Sequence, residues 1–354
     1  MNDYRIMTLV GDIEEKYTHF VNKKKDSLMY YSLQYRRLLT ELLGDESEYL
    51  VAVDSDNNVL GCLPIFYRND SETGTVANSL PFYGSHGGVL ADDSEVREKL
   101  LEEYIHVVRE RKCTASTIVG SPLVDYDSLY KDKIKPTFID ERIELMTYFP
   151  YNELSASDAL MGIYHYKTRN AIRKAVKNGV EVQIDNSKDT MEFLYSVHRQ
   201  NMSDIGGIPK EKKFFDLLVS DYKAGSDYDI YVAYKDGVKI SAMLIIYFNR
   251  TVEYYTPAIV NEYRNLQPLS LMIYLAMQDA MKNEMEKWNW GGTGLTQSSL
   301  YTFKSKWGTT ETRYFYYTKI WDKSILELPE EIIKRKYSNY YVYPFNQVEK
   351  NVQG

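Results

Sequence analysis

Tyr49-Leu-Val-Ala-Val-Asp-Ser-Asp-Asn-Asn-Val-Leu-Gly-Cys-Leu-Pro-Ile-Phe-Tyr67 and Ile230-Tyr-Val-Ala-Tyr-Lys-Asp-Gly-Val-Lys-Ile-Ser-Ala-Met-Leu-Ile-Ile-Tyr-Phe248 share one grammar. Each is an apolar strand, a turn rich in Asp, Asn or Gly, and a second apolar strand. Asp236-Gly237 is a strong two-residue hairpin turn, because both residue types tolerate the positive φ that such turns demand. A Val-Ala pair precedes each turn, and an aliphatic run ending in aromatics follows it. The copies start half a chain apart in a protein of 354 residues, which predicts two domains of one topology.

The elements around the hairpins match as well. Before the first, Leu28, Tyr31, Tyr35, Leu38, Leu39 and Leu42 are spaced for a helix that Gly44 would stop. After it come an expected strand at 75–80, a glycine-rich segment, a helix at 94–111 and strands at 114–119 and 142–149. Before the second hairpin, helices are expected at 155–178, 190–202 and 210–224. Behind it lie a strand at 251–256, a helix at 268–286 and strands at 288–290 and 313–319. Hairpins mixed with crossover helices predict an α/β fold with a mixed, partly antiparallel sheet in each half. The expected boundaries are 1–150 for the first domain, 151–320 for the second and 321–354 for a tail packing back on the body.

Composition narrows the class. With 44% hydrophobic and 26% charged residues, the chain has ample core material. No stretch reaches the ~20 apolar residues of an integral membrane segment. Met1-Asn2-Asp3-Tyr4-Arg5 does not open a signal peptide, and the two cysteines, Cys62 and Cys113, suit a reducing cytosol, so a cytoplasmic protein is expected. Residues 1–150 carry a formal charge of −9 and the remainder +2, which does not suggest DNA binding by bulk charge. His19, His86, His106, His165 and His198 are scattered, so no metal site is expected. No Gly-x-Ser-x-Gly elbow and no recognisable cysteine nucleophile are present.

Three segments carry candidate chemistry. The first is the helix that Ser155 and Asp158 open with a capping-box pattern. Its second half, His165 to Lys177, holds five Lys or Arg and no acid. Arg169, Arg173 and Lys177 repeat every four residues, while Ala171, Ile172, Ala175 and Val176 would face the core. This is either a solvated basic face or a cation cluster for a phosphate-bearing ligand. The second is Phe82-Tyr-Gly-Ser-His-Gly-Gly88, either a tight turn or a loop whose backbone amides approach a ligand. The third is Trp288-Asn-Trp-Gly-Gly-Thr293, followed by Phe303-Lys-Ser-Lys-Trp-Gly308. Lys304, set between aromatics, is either a surface lysine or a cation that stabilises an oxyanion.

Taken in this order and together with the duplicated hairpin, the three segments resemble the Fem-type transferases, which contain two acetyltransferase-like (GNAT) domains. The resemblance covers about residues 28–320. It implies transfer of an aminoacyl or acyl group onto a primary amine, in cell-wall peptidoglycan biosynthesis or on another envelope precursor. The donor would be aminoacyl-tRNA or acyl-CoA, the acceptor a small molecule or muropeptide, and no cofactor would be tightly bound. Residue by residue, it implies that Lys304 stabilises charge on the reacting carbonyl oxygen and that Phe303 shapes the cleft. Tyr83, Gly87 and Gly88 would border the acceptor, Arg169 and Arg173 would meet phosphates, and Tyr255 would bind substrate. Positioning an amine against an acyl ester needs no protein nucleophile, which agrees with the missing triads. Two features depart from the pattern. The loop Arg264-Asn-Leu-Gln-Pro-Leu269 lacks the glycines of the usual CoA-binding turn, and no long charged helical hairpin is visible. A CoA-dependent N-acyltransferase acting on a nucleotide sugar or other small amine, and a catalytically inactive ligand-binding member, are the alternatives.

Overall fold

The computed structural model describes residues 4–82 and 86–351. It divides into two compact units, Met1–Arg142 with Arg313–Gly354, and Ile143–Thr312. The first unit opens with β1 (Tyr4–Thr8), α1 (Glu14–Lys23) and α2 (Leu33–Leu43). The hairpin follows as β2 (Glu46–Asp54) and β3 (Val59–Asp70), then β4 (Gly74–Asn78) and the short β5 (Leu90–Ala91). Next come α3 (Ser94–Glu110), β6 (Cys113–Val119), α4 (Asp127–Ile134) and β7 (Phe138–Tyr148), which runs on into the second unit. There follow α5 (Ala156–Ile163), α6 (Tyr166–Lys177), β8 (Glu181–Ile184), α7 (Lys188–Asp204) and α8 (Lys212–Asp221). The second hairpin is β9 (Tyr228–Lys235) and β10 (Val238–Phe248), leading to β11 (Thr251–Ile259), α9 (Pro268–Lys282), β12 (Lys287–Gly294) and α10 (Ser298–Lys304). The chain ends with β13 (Thr310–Ile320), α11 (Glu330–Lys336) and α12 (Phe345–Asn351).

Strand pairing repeats between the units. In the first, β1 pairs antiparallel with β2, β2 with β3 and β3 with β4, and β4 then runs parallel to β6. In the second, β8 pairs antiparallel with β9, β9 with β10 and β10 with β11, and β11 then runs parallel to β12. Two helices connect the first strand to the hairpin in each unit, and one crossover helix, α3 or α9, makes the parallel connection. Asp236 and Gly237 both take positive φ, at 50° and 78°, as a two-residue hairpin requires. Each unit is therefore the mixed α/β arrangement expected from the hairpin repeat.

The contacts redraw the expected domain ranges. β13 pairs antiparallel with β6, from Tyr316 opposite Val119 to Ile320 opposite Ala115, so residues from Arg313 onward belong with the first unit. The tail fills that unit's core: Ile325, Ile333, Tyr337, Val342 and Tyr343 pack with Val76, Ala115 and Phe138.

The helix expected over 155–178 is two helices. Asp158 N donates to Ser155 Oγ at 3.1 Å, so the predicted cap forms, but α5 ends at Ile163. Tyr164 and His165 are extended, with ψ of 143° and 146°. Packing forces the break. The Tyr164 ring is buried edge-on against Trp307 at 5.0 Å, and His165 N donates to Lys306 O at 3.0 Å. His165 Nδ1 then caps α6 by accepting from Lys167 N. The buried stripe of α6 is Thr168, Ile172 and Ala175. Val176, expected in the core, is 60% exposed.

Candidate active site

The parallel ladder between β11 and β12 covers only three residue pairs, Thr251, Val252 and Glu253 opposite Lys287, Trp288 and Asn289. Beyond it each strand runs on, β11 to Ile259 and β12 to Gly294. Gly291 takes a φ of +73° just past the ladder, which favours glycine, and Asn289 Oδ1 accepts from its N–H at 3.0 Å. α10 then brings Lys304 back onto the end of β12. Its Nζ donates to Gly291 O at 2.6 Å, to Thr293 Oγ1 at 3.0 Å and to Gly292 O at 3.4 Å.

An aromatic cluster flanks these two segments, with Trp290 next to Gly291 on β12 and Phe303 next to Lys304 on α10. Trp290 lies 5.5 Å from Trp307 and 6.1 Å from Phe303, and Tyr254 lies 5.2 Å from Trp290. One buried hydroxyl ties the rings to β7: Thr147 Oγ1 accepts from Trp290 Nε1 and donates to Trp307 O, both at 3.0 Å. Lys304 is only 4% exposed. Burial pushes its ammonium down to about 8, and the carboxylate of the buried Glu144 on β7 pulls in the opposite direction. Charged lysine is still the dominant form at pH 7. The arrangement is a dry, satisfied cation on a strand end, able to offer a proton donor to a developing oxyanion.

The remaining candidates fall in different surroundings. Phe303 is half-buried on the aromatic box beside Lys304. Tyr255, on β11, stacks on Phe214 at 5.5 Å, with Lys210 Nζ 5.1 Å above its ring. Burial pushes Lys210 down to about 8. Its backbone N–H donates to His198 Nε2 at 3.2 Å, and burial followed by the Lys210 charge holds His198 down at about 4. Arg169 turns one guanidinium nitrogen onto the end of α5, donating to Tyr164 O at 2.5 Å and Met161 O at 3.3 Å, while Arg173 is exposed and donates to Asn170 Oδ1. The two arginines of the expected phosphate face thus do different things: one closes a helix end and one faces solvent.

Gly87 and Gly88 are buried in the first unit. A Cβ on Gly87 would meet the Leu80 side chain at 2.7 Å, and one on Gly88 would meet the Tyr130 hydroxyl at 2.4 Å. Close packing accounts for both glycines. Tyr83 lies outside the described residues.

Sequence reasoning passed over Thr147, Glu144, Thr293, Lys210 and His198. Glu144 and Thr147 are polar residues inside an otherwise apolar strand, Arg142-Ile-Glu-Leu-Met-Thr-Tyr-Phe149, and that interruption was the available signal. His198 and Lys210 carry no pattern, because only the fold sets them together. Among the described residues, no group of three or more His, Cys, Asp or Glu gathers as a metal site, and no helix is long and apolar enough to cross a membrane.

Residues 164–305 match the family model of the acetyltransferase (GNAT) domain. No curated protein matches the chain in sequence. Among solved structures, FemX is similar over 91% of this chain and 99% of its own, at 14% identity and a TM-score of 0.71. The L-PGS of Bacillus licheniformis covers 86% of this chain and 96% of its own, at 11% identity and a TM-score of 0.52. A tandem GNAT protein from the clavulanic acid biosynthesis pathway covers 89% and 98%, at 9% identity and a TM-score of 0.52. At these identities the likeness is one of fold, and it spans both halves of the duplication.

Proposed function

We propose that this chain, with its Fem-like tandem GNAT fold, is an acyltransferase that moves an aminoacyl or acyl group onto a primary amine. The observation that carries the reading is Lys304, a buried ammonium held among glycine carbonyls where β11 and β12 part. In the proposed step the neutral amine attacks the ester carbonyl, the new C–N bond forms, and the C–O bond to the leaving alcohol breaks. The proton lost by the amine ends on the leaving oxygen. Lys304 stabilises the intervening oxyanion, and its 3.4 Å bond to Gly292 O is the weakest of its three and the one an oxyanion would replace.

Direct attack also suits the rest of the chain. Cys62 and Cys113 are buried, and burial pushes both thiols up to about 12, so neither offers a thiolate at neutral pH. An ester donor such as aminoacyl-tRNA is favoured over acyl-CoA by the start of α9. Pro268 stands at its first position and has no N–H to give a pyrophosphate, and the Gln267 side chain bonds back to Arg264 O at 3.1 Å. An amine of an envelope precursor such as a muropeptide is the proposed acceptor.

Purified protein incubated with charged aminoacyl-tRNA or acyl-CoA, and with a muropeptide or simple amine acceptor, tests the reading. New amide formed from either donor, and lost with Lys304→Met, is the expected outcome. If no amide forms from either donor while a nucleotide-linked muropeptide still binds, the chain is a binding protein instead.

A further inference from the structure

The first unit holds a cavity of about 870 Å³ that the transferase reading does not use. One wall is α1. Lys16, His19, Phe20 and Lys23 recur at helical spacing and face the cavity, while Tyr17 and Val21 on the other side of the helix are buried. The opposite wall is the start of α3 and the residues before it: Asp92, Asp93 and Glu95. Tyr4, Val59, Leu60 and Val96 supply apolar lining between the two. Lys24 pairs with Asp92 and so bridges the walls.

The charges on these walls are only partly spent. Asp93 accepts from the backbone N–H groups of Glu95 and Val96, which caps α3. Lys16 donates to Asp56 O. The side chains of His19 and Lys23 make no ion pair or hydrogen bond among the described residues. Three lysines and four acidic side chains line the space, so its net charge is close to neutral. A nucleotide or other polyphosphate needs an excess of cations, and no arginine fork is present here. An apolar molecule would leave both charged walls desolvated and unpaired.

The geometry points to this cavity as a binding site for a small zwitterion with an apolar side chain, an amino acid or a short peptide. Its carboxylate sits toward Lys23 and His19 on α1, its ammonium toward Glu95 on the other wall, and its side chain against Phe20, Tyr4 and Leu60. The volume falls within the usual ~300–1,000 Å³ of small-molecule sites. The proposal stands apart from the transferase reading and shares no residue with the Lys304 site.

Isothermal titration calorimetry of the full chain tests it with L-leucine and L-leucyl-L-leucine as probes, and N-acetyl-leucine and leucinamide as controls lacking the ammonium or the carboxylate. The expected result is saturable binding of the amino acid, the dipeptide or both, weakened about tenfold or more when either charge is removed. Lys23→Gln, at an exposed position, and Phe20→Ala, which gives up the approach of Lys24 Nζ at 6.0 Å from its ring, should each weaken the same binding, while Lys304→Met should leave it unchanged. No saturable heat up to millimolar probe, equal binding of the two controls, or sensitivity to Lys304→Met but not to Lys23→Gln would each overturn the proposal.

Discussion

Lys304 Nζ lies 2.6 Å from the carbonyl oxygen of Gly291, whose φ of +73° turns that oxygen toward it. The contact joins the two halves of the third sequence motif, the Gly-Gly pair and the Phe-Lys pair, into one object. Glycine suits the position because the chain takes a positive φ there, and lysine because a long stem carries its cation from α10 back to the end of β12.

The alkaline limb of activity follows from that burial. Lys304 titrates at about 8, so turnover that needs its ammonium should fall as pH rises through that value. The Glu144 carboxylate holds the lysine up, so Glu144→Gln should move the limb to lower pH. A pH–kcat/KM profile of the two proteins checks this; a limb that does not move detaches Glu144 from Lys304.

His198 makes stability sensitive to acid. It titrates at about 4 in the folded chain against 6.5 for an ordinary histidine, so between these values the unfolded chain binds the extra proton. Stability is then fully present above pH 6.5 and falls as pH drops toward 4, by up to about 3 kcal/mol. Urea unfolding across that range should show the slope in the wild type and a reduced slope in His198→Gln. Parallel slopes would mean that other groups govern the acid limb.

Gly88→Ala should destabilise the first unit by about 1–3 kcal/mol, because the added methyl meets the Tyr130 hydroxyl at 2.4 Å. Tyr130→Phe in the same chain should recover part of the loss in thermal melts by removing the clashing oxygen. A neutral Gly88→Ala would return this glycine to the list of candidate ligand contacts.

The two arginines of the basic helix should separate in a stability assay. Arg169→Ala removes hydrogen bonds to the end of α5 and should cost about 1–2 kcal/mol. Arg173→Ala, exposed, should stay within about 0.5 kcal/mol. Equal losses would show that the α5 cap carries no weight.

Local chemistry wrote much of this fold into the residue order. Apolar runs on either side of Asp236-Gly237 specify a hairpin wherever they occur, while Ser155 with Asp158 starts a helix and Gly44 at +69° stops one by contacts only a few residues long. Their recurrence half a chain apart was enough to announce the duplication. What the residue order left open depends on partners distant along the chain. Continuous helical patterning through Tyr164 yields to a ring that packs on Trp307, and the strand from Arg313 joins β6 rather than the preceding unit. Gly87 and Gly88 look like a ligand loop until Leu80 and Tyr130 occupy the space beside them. A lysine on a short helix cannot be known as buried until Gly291, Gly292 and Thr293 meet its ammonium, because desolvation belongs to the surroundings and not to the side chain.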